Sequence, residues 1–356
     1  MKIAQIAPLA ESVPPRLYGG TERVVSYLTE ELVRLGHDVT LFASADSETS
    51  AQLVACAPRA LRLDPGLAEP LAHYAVMLER VRQRAAEFDV LHFHIEGLHL
   101  PLFRGFAEKA LTTVHGRLDL PGTTALYREF PDMPLVSISD SQRRPIPDAY
   151  WVRTVHHGLP REVCPFNPGL KALNPAAAGP YLAFLGRVSP EKGLDRAIEV
   201  ARRAALRLRI AAKVDREDER YFRNRIVPML DDSEIQFSGE VGEGDKPGFL
   251  GNAGALLFLI DWPEPFGLAM IEAMSCGTPV IAARRGAVPE IVEDGVTGFI
   301  VDSIDEAVAA VPRALALDRR RVRARFEERF SAERMARDYL SVYRALGLRR
   351  ASPRAA

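Results

Sequence analysis

Cysteine is nearly absent from this chain. Three residues, Cys56, Cys164 and Cys276, are scattered over 356 positions. That is too sparse for a disulfide framework and carries no metal-ligand spacing, so a reducing, cytoplasmic setting is expected. Long apolar runs are absent as well. No stretch reaches the 18 residues of a membrane span, which leaves peripheral contact as the form of membrane association to consider. The opening "MKIAQIAPLAES" holds an apolar run too short for a signal peptide and reads as a first strand. Neither sign of charge dominates: 46 basic residues stand against 47 acidic ones, for a net charge of -1. Nothing in that balance calls for a nucleic-acid partner. Lysine is scarce, six against forty arginines, so a retained lysine is informative. The Arg-rich stretches "DRRRVRARFEERF" and "LRRASPRAA" read first as solvated helix faces and a loose tail. Their second reading is a docking surface for anionic lipid or a partner.

What is present is apolar bulk in an ordered pattern. Hydrophobic residues make up 47% of the chain, enough for a large core, and the length suits two domains of about 170 residues each. In the first half, strands "KIAQIAP", "HDVTLFAS", "DVLHFH", "ALTTVHG" and "PLVSISD" are separated by helical patterns. One of these, "TERVVSYLTEELVRLG", spaces Val24, Val25, Leu28, Leu32 and Leu35 on one face and stops at Gly36; a long helix is expected near 67–86. Residues 158–180 carry five prolines and read as a linker region, drawn at 166–180. Beyond it the alternation resumes with strands "YLAFLGR", "LRIAAK", "EIQFSG", "GALLFLI" and "PVIAA". Helices are expected at 217–230, near 243–252 and after 303. The expected domains are 1–165 and 181–330, each an α/β unit with a parallel sheet, facing each other across a cleft. The final helix, about 331–346, is a candidate to cross back onto the first domain.

In such sheets ligands gather at the carboxyl ends of strands and at helix N-termini. Four loops stand out there. "GRVSPEKG" places Arg187 and Lys192 around a Ser-Pro turn leading into a helix, where a diphosphate could sit; the bland alternative pairs these cations with Glu191 or Asp195. "LYGGTERVV" puts Gly19 and Gly20 before a helix, where bare backbone amides can approach an anion, unless the pair is simply a flexible turn. "TTVHGRLD" puts His115 at a strand end. "HFHIEGLH" supplies His92, His94, Glu96 and His99. His92 and His94 share a strand face, so a metal site is conceivable, but His94 and Glu96 read better as acceptor-side lining.

The fifth stretch is "EPFGLAMIE". Pro265 and Gly267 mark a helix start, so Glu264 lies in the loop before it. Glu272 is expected roughly two turns on, about 12 Å along the axis. That is near the span from a sugar ring, across a diphosphate, to a ribose. One carboxylate could accept from hexose hydroxyls and the other from ribose hydroxyls, with the amides around Phe266, Gly267 and Leu268 facing the phosphates between them. Packed helix ends are the competing account.

Taken together, "GRVSPEKG", "EPFGLAMIEAMSCGTPVIA" and "GAVPEIVEDGVTGFIV" closely resemble family 4 of the retaining, nucleotide-sugar-dependent glycosyltransferases. The resemblance covers nearly the whole chain and is most specific in the second half; "PPRLYGG" resembles a compact bacterial subgroup. It implies the GT-B fold, two Rossmann-like domains facing across a cleft. Glu264 and Glu272 match the E-x7-E motif, Arg187 and Lys192 the diphosphate-binding pair, Gly19–Gly20 the Gly-rich loop and His115 the strand-end histidine. Base contacts through backbone fall at Val241, in "SGEVGE". The implied reaction moves a sugar from a UDP- or GDP-linked donor to an acceptor that the resemblance does not identify. The configuration is retained, and the leaving diphosphate takes the acceptor proton. The nucleotide sugar is a co-substrate, and no cofactor is implied. No D-x-D occurs, and the Arg/Lys pair can replace a metal's charge. Rival readings are a nucleotide-sugar epimerase or phosphorylase on the same architecture, a nicotinamide-dependent dehydrogenase, and a non-enzymatic nucleotide-binding module. The dehydrogenase lacks its G-x-G-x-x-G after the first strand, and "GEVGEGDK" has the wrong glycine spacing for a dinucleotide turn or a P-loop.

Overall fold

The computed structural model describes residues 1–16, 19–64, 66, 69–169, 179–231 and 233–351, without the side chains of 348–351. Its contacts divide the chain into two units, residues 1–158 with 332–356, and residues 159–331.

The first unit is built on β1 (Lys2–Ile6), β2 (Asp38–Ser44), β3 (Gln52–Ala57), β4 (Val90–Phe93), β5 (Ala110–Thr113), β6 (Leu135–Ser137) and β7 (Trp151–Thr154). They form one sheet in the order β3-β2-β1-β4-β5-β6-β7. Every pairing is parallel. The central strands are apolar on both faces: Ile3, Ala4, Ile6, Leu91, Phe93, Ala110 and Leu111 are all fully buried. That double burial is what parallel strands covered by helices demand. The helix Gly20–Arg34 follows β1, and Pro70–Arg84 falls within the expected span. The last helix, Ala332–Ala351, belongs to this unit, where it packs on Gly20–Arg34.

The second unit repeats the plan with β8 (Leu182–Arg187), β9 (Leu208–Lys213), β10 (Ile235–Phe237), β11 (Ala255–Phe258), β12 (Val280–Ala283) and β13 (Gly298–Val301). Its order is β10-β9-β8-β11-β12-β13, again with every pairing parallel. Both sheets therefore reverse direction beside their first strand, between β1 and β4 and between β8 and β11. These are the switch points where Rossmann-like sheets open a crevice at the strand ends.

Two expectations need correction. The first unit ends at Gly158, not at 165. Leu159 donates to the Phe330 carbonyl at 2.9 Å, Asn167 to the Cys276 carbonyl at 3.0 Å, and Arg323 to the Cys164 carbonyl at 2.8 Å, so these residues are bonded into the second unit. Most of the expected 166–180 linker, residues 170–178, lies outside the described residues. The expected helix at 217–230 is a run of short turns from Arg216 to Met229, including a π-helical turn at Phe222–Ile226. Pro228, which lacks an amide hydrogen, ends any regular helix there. Among the described residues no helix is long and apolar enough to cross a membrane.

Candidate active site

In the second unit the loops after β8 and β11 converge. Gly193, in the left-handed region at φ +70°, turns the chain from the Pro190–Lys192 turn into the helix Leu194–Arg203. A Cβ there would lie 2.1 Å from the Leu259 carbonyl oxygen, so only glycine lets the two loops meet so closely. The Asp261 amide bonds the Glu191 carbonyl at 2.7 Å and locks the contact. Lys192 Nζ then lies 2.7 Å from Glu264 Oε2 and 4.4 Å from the centre of the Trp262 ring. Thus two residues that the sequence places 72 positions apart form a largely buried ion pair.

Glu264 is also held from behind. Ala287 donates to its carbonyl at 2.9 Å. Gly286, at φ +52°, packs so closely that a Cβ would lie 2.3 and 2.4 Å from the Glu264 oxygen and nitrogen. Downstream, Phe266 is core, edge-on to Phe330. Gly267, at φ +88°, precedes the helix Leu268–Ser275. Only part of the interval between the two glutamates is therefore helical. Glu272 lies four residues inside the helix, roughly 6 Å along its axis, rather than two full turns from Glu264.

Glu272 has a partner the sequence reading missed. Lys246 Nζ lies 2.8 Å from Glu272 Oε1 and 2.6 Å from Glu243. Lys246 belongs to "GEVGEGDK", set aside for its glycine spacing; the scarcity of lysine was the signal that could have found it. Val241 sits in the same loop, between β10 and the helix Lys246–Gly251. Arg187, at the end of β8, shows the bland pairing weighed above. It lies 3.1 Å from Glu191, 3.5 Å from Asp215 and Glu217, and 4.0 Å from Asp218. Burial raises the Asp215 carboxyl, but Lys213 and Arg187 outweigh it and hold the group below its ordinary value. Asp195 pairs with Arg225 instead, at 3.4 Å. The carboxylates of Asp215, Glu217 and Asp218 come close enough together to hold a cation, and Arg187 supplies positive charge among them.

The first unit brings the remaining residues together. Gly19 and Gly20 open the helix Gly20–Arg34, and a Cβ on Gly19 would meet Pro15 at 2.7 Å. Gly19 is thus a packing requirement rather than a loose turn. Both glycines line a cavity of about 350 Å³ with Glu22, Arg62, His94 and Glu96. Glu96, at φ +52°, is a brace. Its Oε1 accepts from the His115 and Gly116 amides at 3.1 and 2.9 Å, and Oε2 from Tyr127 at 3.3 Å. Burial pushes its carboxyl above the usual range, as it does that of Glu22. His115 follows β5, with Nε2 2.9 Å from His94 Nδ1. Burial holds His115 neutral, its pKa lowered to about 3. His92 bonds Thr113 and Tyr343, and His94 bonds Gln5 and His115. All four ring nitrogens are engaged in side-chain hydrogen bonds.

Two parallel Rossmann-like sheets each gather polar residues at the carboxyl ends of their strands, where sheets of this class bind ligands. Residues 171–330 match the family model for glycosyl transferases group 1, and residues 18–171 match that for glycosyltransferase family 4. The chain belongs to glycosyltransferase family 4, and it is a glycosyltransferase of GT-B fold. Among curated relatives, the D-inositol 3-phosphate glycosyltransferase of Saccharomonospora viridis is 34% identical over 222 residues, covering 56% of this chain and 50% of its own length. The enzyme of that name from Mycolicibacterium smegmatis is 26% identical over 340 residues, covering 81% and 76%. The chain thus spans about half of the first relative and about three quarters of the second. Among solved structures, a glycosyltransferase involved in avilamycin A biosynthesis superposes with a TM-score of 0.71 at 26% identity, covering 98% of both chains. Anabaena HepE in complex with UDP-glucose gives 0.74 at 18% identity, covering 97% of this chain and all of that one, a likeness of fold.

Proposed function

We propose that the protein transfers a sugar, with retention of configuration and without a divalent metal, from a nucleoside-diphosphate sugar to an acceptor bound at the first unit. The observation that carries this is the pair of ammonium–carboxylate contacts around the Gly267 helix start, Lys192 with Glu264 and Lys246 with Glu272. Each places an acceptor-only carboxylate, suited to sugar hydroxyls, beside a cation suited to phosphate. A diphosphate arriving at Lys192 competes with Glu264 for the ammonium and frees that carboxylate to face a hexose. Arg187, Lys192 and the amides at Phe266, Gly267 and Leu268 stabilise the departing diphosphate as its charge grows. Glu272 accepts from the ribose, and Val241 contacts the base through its backbone. The structures of Anabaena HepE with UDP and with UDP-glucose support this donor class by analogy.

The cavity of the first unit is the proposed acceptor side. Glu22 and Glu96 contribute carboxylates to it, and its Arg62 is already 2.9 Å from Glu11. That lining suits a neutral or amine-bearing polyol better than a phosphorylated one. A cytoplasmic location follows from the donor's chemistry and stays part of the proposal.

Calorimetry with UDP, GDP and their sugars tests the donor, and NMR of the transferred anomer tests retention. Turnover should survive exhaustive chelation. Loss of turnover restored by magnesium or manganese would overturn the metal-free mechanism, and failure of every nucleoside diphosphate to bind would overturn the donor.

A further inference from the structure

Seven side chains of the first unit form one unbranched hydrogen-bonded chain. Tyr339 Oη lies 2.9 Å from Thr113 Oγ1, which lies 2.7 Å from His92 Nε2. His92 Nδ1 is 2.8 Å from Tyr343 Oη, which is 3.2 Å from the Gln5 amide nitrogen Nε2. Gln5 Oε1 is 2.8 Å from His94 Nε2, and His94 Nδ1 is 2.9 Å from His115 Nε2. The adjacency of β1, β4 and β5 sets the register, with Gln5 directly opposite His92. Six of the seven are buried; His115, at the end, is partly exposed.

Such a chain has a direction, because each hydroxyl owns one proton and each neutral imidazole one N–H. Tyr339 is buried and bonds only Thr113 among the described residues, so its proton has one acceptor, Thr113 Oγ1. Thr113 must then donate to His92 Nε2, leaving His92 Nδ1–H to donate to Tyr343. The Tyr343 proton can go only to Gln5, which must therefore turn its Oε1 toward Tyr343 and its Nε2–H toward His94 Nε2. His94 then donates from Nδ1 to His115 Nε2, and the proton of His115 is left on Nδ1. With the Gln5 amide turned the other way, a buried tyrosine proton is stranded, at a cost of about 1–3 kcal/mol. A half-turn of an amide changes little else, and hydrogen bonding is what settles its orientation. Burial keeps the three rings neutral.

We propose that this chain runs one way, from Tyr339 to His115, so that His115 presents Nδ1–H as a fixed, uncharged donor to an oxygen of the bound ligand, with Gln5 as the positioning residue that sets the tautomer. A neutral donor aimed at a hydroxyl or phosphate oxygen assists where negative charge develops, and it cannot act as a base through that atom. Assigning the oxygen to a substrate of sugar transfer rests on the function proposed above; the tautomer does not.

The test separates the two. In the full chain labelled with ¹⁵N-histidine, long-range ¹H–¹⁵N spectra near pH 7.5 read each ring's tautomer, His115 being assigned by loss of its signals in His115→Asn. The expected result is Nδ1–H with a bare Nε2. A proton on Nε2, or on both nitrogens, overturns the direction. Gln5→Glu sharpens the test, because a carboxylate accepts from both sides. His94 must then hold its proton on Nε2 and His115 its own on Nε2, while His92 is unchanged. Retention of Nδ1–H at His115 in a folded Gln5→Glu variant with an ionised carboxyl and a neutral His94, or an unchanged single tautomer in Gln5→Leu, overturns the role of Gln5. Turnover of UDP- or GDP-sugar in the Gln5→Glu variant should fall about ten- to a hundredfold. Inversion of the tautomer with full turnover overturns the contact with ligand. Absence of any turnover in the native chain refutes the donor reading and leaves the tautomer result standing.

Discussion

The two glutamates that frame "EPFGLAMIE" differ in what surrounds them, and so should fail differently. Glu264 shares Lys192 with the place proposed for the diphosphate, whereas Glu272 is held by Lys246 beside the loop of Val241. Glu264→Gln should spare nucleoside-diphosphate binding, since that ligand has no hexose, and lower turnover by one to two decades, on the scale of about 1.5–3 kcal/mol for a charge-assisted contact. Glu272→Gln should weaken nucleoside diphosphate and intact donor alike. Calorimetry on both variants beside donor kinetics decides it, and equal loss of nucleoside diphosphate would favour helix packing as the account of both residues. Lys246→Met has a different signature. It strands the buried Glu272 carboxylate, so it should destabilise the second unit by about 3 kcal/mol as well as weaken the nucleoside diphosphate. Unfolding midpoints for Lys246→Met and for the more exposed Lys213→Met measure the difference. At this scale the motif stretches stood out in the sequence because their polar residues recur at fixed spacing. Their partners did not, since Lys246 meets Glu272, Trp262 meets Lys192 and Gln5 meets His94 across the fold from distant stretches of chain, and only the scarcity of lysine marked Lys246.

At the scale of elements, the strands that the sequence left unmarked are β3, β7 and β13, and each is the edge of its sheet. An edge strand pairs on one side only, and "QLVACA" and "WVRT" are partly exposed along their length, which weakens the burial pattern that marks a strand. The central strands, buried on both faces, announced themselves. The domain boundary was misplaced for a related reason. Prolines mark where helix and strand stop, but bonding decides which unit holds an irregular segment such as 159–169. The loops between elements carry a prediction of their own. Gly286 and Gly295 both adopt left-handed backbone, but a Cβ at Gly295 meets nothing within 4 Å, whereas one at Gly286 meets the Glu264 backbone. Both Gly→Ala variants should lose about 1–2 kcal/mol to backbone strain. Only Gly286→Ala should also lose turnover, because Glu264 must move aside. Equal kinetics in the two variants would show that the position of Glu264 does not depend on this brace.

Across the whole molecule the ionisable groups are unevenly shared. All eight histidines lie in the first unit and none in the second. Burial lowers His92, His94, His99, His115 and His157 below their ordinary range, with His99 and His115 at about 3. A histidine that stays neutral in the folded state binds a proton only on unfolding. Its contribution to stability is complete above the unfolded value near 6.5 and is lost as pH falls below it, by up to about 1.4 kcal/mol per pH unit for each group. Glu22 and Glu96 act in the opposite sense. Their raised values make the folded state hold protons more tightly above about 4.5, which offsets part of the slope and does not reverse it. The chain has two tryptophans, Trp151 in the first unit and Trp262 in the second, so each unit can be followed by its own fluorescence. In Trp262→Phe, the urea midpoint reported by Trp151 should fall markedly between pH 7.5 and pH 5.5 at constant ionic strength. In Trp151→Phe, Trp262 should report a transition that moves far less, since the lowered carboxyls of its unit, Glu191, Asp215 and Asp231, lose their contribution only as pH falls below about 4. A Trp151 midpoint that holds steady to pH 5.5 would show that these histidines are already charged in the folded protein, and the neutral, directed chain ending at His115 would fall with it.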